Sequence, residues 1–190
     1  MKKYIFGVLL VLFVVSGYAW NVYFLGDEDL SKEVTFAKEF TEVTFMVSGV
    51  PVTLLDGVAT ATTNLGGASE TILRYFGNQH MHDIDGDGED DVVFLVTQET
   101  GGSGTFFYAV GALKRGEEYL GTHAVFIGDR IHPQTITSGK GREVVVNFAE
   151  RLPTEPMTAQ PSVGRSVYLL LDTETLEFGE VVQNFEGEHN

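Results

Sequence analysis

The chain has 190 residues, with 12 Lys and Arg against 27 Asp and Glu, a formal charge of −15, and no cysteine. A polyanion of this kind repels nucleic-acid backbones, so recognition through basic patches is excluded; the missing sulfur excludes thiol catalysis, disulfides, cysteine-ligated metals and lipidation at cysteine. Hydrophobic residues at 43% and charged residues at 21% fit a folded globule.

The chain opens with Lys2 and Lys3, followed by an uncharged apolar run from Tyr4 to Leu25. As a helix this run would be roughly 33 Å long, enough to cross a hydrocarbon core of about 30 Å. Gly17 and Ala19 offer small residues for signal-peptidase cleavage near Ala19, which would release a secreted protein. The run nevertheless continues through Trp20, Val22, Tyr23, Phe24 and Leu25, an aromatic belt of the kind spanning helices carry, so a retained signal anchor in the membrane is the expectation. In both cases the two lysines place residues 26–190 outside the cytoplasm, with 10 basic and 27 acidic residues. The expected organisation is a signal peptide or anchor over 1–25, an acidic spacer over 26–40, and one β domain over 41–190.

Strand patterns dominate after the spacer. Ser31–Phe40 suits either a helix capped by Ser31 or a strand. In Thr41–Ser48, Val43, Phe45 and Val47 alternate with polar residues, and Val50, Val52 and Leu54 repeat the period of two after a Ser48-Gly49 turn. Ile72–Phe76, Val92–Thr97, Thr105–Leu113, Tyr119–Ile127, Glu143–Phe148 and Val167–Leu171 are rich in β-branched and aromatic residues. Val92–Val96 and Phe106–Val110 are continuously apolar, which predicts central strands buried on both faces. The expected fold class is mainly β, a single antiparallel domain built as a sandwich or an open barrel-like sheet. Glu150–Arg165, with three of the five prolines, is expected to be an irregular loop that wraps one edge or presents a recognition surface.

Asp83-Ile84-Asp85-Gly86-Asp87-Gly88-Glu89-Asp90-Asp91-Val92 carries the most specific chemical signal. Oxygen ligands from positions 1, 3, 5, 7 and 9 of such a loop can converge on one hard cation, and glycine at position 6 allows the sharp turn this requires. Those positions are Asp83, Asp85, Asp87, the Glu89 backbone carbonyl and Asp91. Five aspartates within nine residues repel one another unless a cation is present. An all-protein, flexible ligand set favours structural Ca2+ over Mg2+. Position 12, where an EF-hand places a bidentate Glu, is Phe94, so the loop leads into a strand and is not an EF-hand.

Asp-x-Asp-Gly-Asp-Gly-x-x-Asp-Val followed by an apolar strand resembles the calcium loop of FG-GAP/VCBS-type β-propeller repeats. It occurs once, and a propeller needs several copies, so the likeness implies the loop and not the propeller fold. Tyr75-Phe76-Gly77-Asn78, Gly101–Phe106, Gly128-Asp129-Arg130-Ile131, Pro133-Gln134-Thr135 and Pro161–Gly164, taken with that loop, resemble a family of small bacterial exported envelope proteins. This second likeness implies an exported location and supplies no catalytic residues.

Other features are weaker. His80 and His82, at i and i+2, would face one side of a strand, where both imidazoles can meet one transition metal; the plainer alternative is two exposed histidines at a polar strand end. Ser103 fails as a nucleophile elbow because position 105 is Thr, and it suits a hairpin loop between the two central strands. Asp129-Arg130 reads as a surface ion pair or an anion-lining arginine. Tyr75, Phe106, Phe107, Tyr108, Tyr119 and Tyr168 read as core, with sugar stacking as the alternative.

The combined expectation is an extracytoplasmic calcium-binding domain with a binding or structural role at the cell envelope, meeting the membrane through its N-terminal helix and taking an envelope protein or polysaccharide as partner. Whether it is an enzyme is left open, with a non-catalytic role preferred. The rival is a hydrolase of envelope polymers acting through paired carboxylates.

Overall fold

The structure, a computed structural model, describes residues 35–62, 70–156 and 158–183. The expected anchor over 1–25 and most of the acidic spacer lie outside these residues. The described chain forms β1 (Phe36–Ala37), a single 3-10 turn (Phe40–Glu42), β2 (Thr44–Val47), β3 (Val50–Thr53), β4 (Val58–Thr62), β5 (Glu70–His82), β6 (Asp91–Glu99), β7 (Phe106–Arg115) and β8 (Glu118–Gly121). It continues with β9 (Val125–Asp129), β10 (His132–Ser138), β11 (Val144–Glu150), β12 (Val163–Asp172) and β13 (Glu177–Glu180). The fold is mainly β, and the paired strands run antiparallel.

The larger sheet has the order β4-β5-β6-β7-β8-β1, with β9 alongside the other half of β7. A second sheet is the meander β10-β11-β12-β13, and β2-β3 is a separate hairpin. Ser48 and Gly49 at its tip have φ of 50° and 81°, the left-handed pair that a two-residue hairpin needs to match strand twist.

The continuously apolar runs are explained by what lies on either side of them. On one face of the large sheet, Val93, Leu95, Phe107 and Ala109 pack into a core with Val144, Val146, Phe148, Leu169 and Leu171 of the four-stranded sheet. On the other face, Val92, Phe94, Val96 and Val110 pack with Val43, Phe45, Val52 and Leu54 of the β2-β3 segment. Both faces of β6 over Val92–Val96 and of β7 over Ala109–Leu113 are therefore dry, and polar alternation there would have buried unsatisfied groups. The fold also reaches back into residues read as spacer: β1 pairs with β8, and the Phe40 ring stands edge-on to Phe94 at 5.8 Å and to Tyr119 at 6.3 Å.

The stretch Tyr119–Ile127 is two strands and not one. Thr122-His123-Ala124 breaks it, and the break is fully bonded. The Thr122 hydroxyl accepts from Gly111 N at 2.9 Å, Met46 N donates to Thr122 O at 3.2 Å, Ala124 N to Met46 O at 2.8 Å, and His123 N to Leu176 O at 2.8 Å. These three residues thus tie β7, the β2-β3 hairpin and the turn before β13 to one point.

Of the expected loop Glu150–Arg165, Glu150 ends β11 and pairs with Val163, where β12 begins, and the described residues between them are irregular. Arg151 organises them, donating to the carbonyl of Ala159 and, at 2.9 Å, to that of Arg130. At the far end of β12, Asp172 accepts from Glu174 N at 2.8 Å and Thr175 N at 3.1 Å, and these backbone donors hold its carboxyl below the usual range. A carboxyl whose folded pKa is depressed contributes stability that is present above its unfolded value of about 3.9 and is lost as pH falls through the folded value. Asp172→Ala is therefore expected to lower the urea midpoint at neutral pH, with the gap to the wild-type chain closing below about pH 4. A gap that persists unchanged to pH 2 would exclude a charge-dependent role.

Candidate metal centre

The aspartate-rich segment is the loop between β5 and β6, closed by the pairing of His82 with Asp91. Its shape follows from its own side chains. Asp83 accepts from Gly86 N at 2.6 Å with one oxygen and from Gly88 N at 3.1 Å with the other. Asp85 accepts from Asp87 N at 3.1 Å, and Asp87 from Glu89 N at 2.8 Å. Short acidic side chains capping amides two to five residues on are what such turns favour. Gly86 has φ of 86°, a backbone conformation that favours glycine, and a Cβ there would also stand 3.0 Å from Cδ of the Arg142 side chain, a tight contact that this side chain would have to relieve.

Asp83, Asp85 and Asp91 each bring one carboxylate oxygen within 4.8 Å of the others. Oxygens bound to one Ca2+ at 2.3–2.6 Å lie at most roughly 5 Å apart, so this spacing fits a single hard cation. Asp87 stands outside that group, and Glu89 enters the loop network through its amide. Asp91 is fully buried, and its two oxygens accept from Ile84 N at 3.1 Å and Lys114 N at 2.8 Å. Burial is the main cause that pushes its carboxyl up to about 6; the two amides oppose this, while the Asp85 and Asp87 charges add to it. A bound cation would act in the opposite sense and favour the carboxylate.

Two arginines that spacing did not reveal complete the site. The Arg115 guanidinium reaches Asp85 at 2.6 Å and Asp87 at 3.1 Å. Arg142 donates to the carbonyls of Ile84 at 3.4 Å and Asp85 at 3.2 Å. The repulsion expected among the aspartates is thus partly offset within the protein, which weakens charge crowding as an argument for a metal. The converging oxygens remain.

The other candidates are dispersed. His80 and His82 are half-buried against the second sheet and not free at a strand end: His80 Nε2 meets Ser138 Oγ at 2.9 Å, and His82 Nε2 meets the Gly141 carbonyl at 2.8 Å. Ser103 lies in the β6-β7 hairpin loop. Asp129 and Arg130 form an ion pair at 2.5 Å, and Asp129 also accepts from Thr105 N, so the pair pins a loop. Tyr75, Phe107, Tyr108 and Tyr119 pack into or against the two cores, and Phe106 and Tyr108 also contact the exposed ring of Phe126. A cleft of about 330 Å³ lies beside that ring, walled by Ser48, His123 and Glu177. His123 Nδ1 and Glu177 Oε1 approach to 3.3 Å there, so the cleft offers one carboxylate and not two. Among the described residues no helix is long and apolar enough to cross a membrane. No family model, curated protein or solved structure matches the chain.

Proposed function

We propose that the chain is a calcium-binding β domain working outside the cytoplasm, held to the membrane by its N-terminal segment and serving a structural or binding role at the cell envelope. The observation that carries the metal is the convergence of Asp83, Asp85 and Asp91 on one point. The spacing shared with FG-GAP/VCBS-type loops supports calcium as the ion, with Asp87 and the Glu89 carbonyl as further ligands once Arg115 gives up its contacts. The metal stiffens the turn that feeds β6, a strand buried on both faces, which makes a structural role the simplest one. The location rests on the two lysines and the apolar run of residues 4–25, and the partner class, an envelope protein or polysaccharide, rests on that location.

Calcium at about 100 times its Kd stabilises a folded state by about 2.7 kcal/mol, or roughly 5–10 °C in a chain of this size. EDTA is accordingly expected to lower the melting temperature and calcium to restore it. Asp85→Ala is expected to abolish the calcium-dependent difference whatever it does to the baseline through Arg115. Identical melting curves with EDTA, calcium and magnesium would refute the proposal.

A further inference from the structure

The β5 strand carries a second group of ligands that the aspartate loop does not use. His80 pairs with Val93 and His82 with Asp91 across the β5-β6 ladder, so both imidazoles stand on the face of the large sheet that turns toward the four-stranded one. A bulge positions them. The register shifts on either side of Gly77, which has φ of 106°, and Asn78 donates to the Gln134 carbonyl at 3.2 Å, bringing this end of β5 against β10.

The hydrogen bonds of the two rings are those of a prepared ligand pair. The Gly141 carbonyl can only accept, so His82 Nε2 carries the proton and Nδ1 of the neutral ring carries the lone pair. Nε2 of His80 meets the Ser138 hydroxyl at 2.9 Å; a hydroxyl can donate or accept, and metal binding at Nδ1 would select the tautomer in which Nε2 donates to it. Neither Nδ1 has a hydrogen-bond partner among the described residues. An imidazole tied through one nitrogen to a carbonyl or hydroxyl, with the other nitrogen free, is the outer-shell arrangement that fixes metal-binding histidines. The ring centroids are 6.3 Å apart. A metal about 2.1 Å from each of two imidazole nitrogens sets ring centroids roughly 5–6.5 Å apart as the angle at the metal opens from about 100° to linear. The observed separation falls at the open end of that range, and a closure of about 1 Å would make the angle tetrahedral.

We infer that His80 and His82 form a site for a divalent transition-metal ion through their Nδ1 atoms, separate from the hard-cation loop and selected by nitrogen donors. Imidazole prefers Cu2+, Ni2+ and Zn2+ to Ca2+, so the two neighbouring sites would sort ions by ligand chemistry. The inference does not depend on calcium occupying the loop, because nitrogen and oxygen ligation are read separately.

The test is titration of the full-length, untagged chain with Cu2+ in excess Ca2+, followed by electron paramagnetic resonance with nitrogen-hyperfine analysis. The expected result is one copper with two imidazole nitrogens. His80→Gln and His82→Gln, which keep a side-chain amide to reach Ser138 and Gly141, should each remove one nitrogen and weaken binding at least about tenfold, and Ser138→Ala should weaken it by about tenfold. His123→Ala and His132→Ala should leave the signal unchanged. Copper bound in the unaltered chain through oxygen alone or through one imidazole would overturn the inference, as would a two-nitrogen signal that survives in the His80→Gln, His82→Gln double variant. The unaltered chain alone decides the first outcome, so the inference stays exposed even if a variant folds poorly.

Discussion

Gly121→Ala is expected to lower the stability of the domain by about 3 kcal/mol or more, although it adds one methyl group. A Cβ at Gly121 would lie 2.2 Å from the carbonyl oxygen of Thr44 and 2.9 Å from its carbonyl carbon. These are main-chain atoms of β2, the strand that seats Phe45 in the second core, so no rotamer change relieves the collision and a strand has to move. Gly111→Ala makes a useful comparison. Its Cβ would meet side-chain atoms, Thr122 Cγ2 at 2.9 Å and Ile84 Cδ1 at 3.1 Å, and these can shift, so the loss should be smaller. Gly102→Ala meets nothing within 4 Å and should change little. Urea unfolding of the three variants orders the effects, and a Gly121→Ala chain as stable as Gly102→Ala would show that β2 does not cross β8 so closely.

The second large effect is expected at Asp91. Asp91→Ala leaves the amides of Ile84 and Lys114 without their acceptors in a buried place, and each orphaned donor costs about 1–3 kcal/mol. Relief of the buried carboxyl offsets part of this, leaving a net loss of about 2–4 kcal/mol without added metal. Asp83→Ala also removes acceptors from two amides, but those of Gly86 and Gly88 belong to an exposed turn where water can replace the carboxylate. Its cost should therefore be well under that of Asp91→Ala in EDTA, while both should remove the calcium-dependent rise in melting temperature. Equal losses for the two variants in EDTA would mean that Asp91 is not the tie between the loop and β7.

What the sequence disclosed follows burial. Val92–Val96 was legible as a central strand because two cores demand apolar residues at every position, and that demand is written in consecutive residues; Phe106–Val110 was legible too, although Phe106 and Tyr108 are only half-buried. The edge strands β4, β10 and β13 were not anticipated. Thr-rich Val58–Thr62, polar His132–Ser138 and Glu-Phe-Gly-Glu at 177–180 are strands because the adjacent strand of the chain pairs with their backbones, and backbone pairing at a largely exposed sheet edge leaves no apolar period in the side chains. The same contrast holds at the site. The convergence of Asp83, Asp85 and Asp91 is local and could be read from spacing. Arg115 arrives through the β6-β7 register and Arg142 from the turn before β11, so nothing near the aspartates announced their counter-charges. The facing of His80 and His82 was readable from a period of two, whereas Ser138 and Gly141, which turn two surface histidines into a clasp between sheets, lie 58 and 59 residues away.

The three-residue break at Thr122-His123-Ala124 has a consequence for how the molecule comes apart. Its hydrogen bonds join the hairpin, the large sheet and the four-stranded sheet, and β6 and β7 contribute side chains to both cores. Peeling away either outer layer would strip one face of the same two central strands and break the bonds at this junction as well. No layer is left with a complete core of its own, so the layers lose their structure together and the domain melts as one cooperative unit.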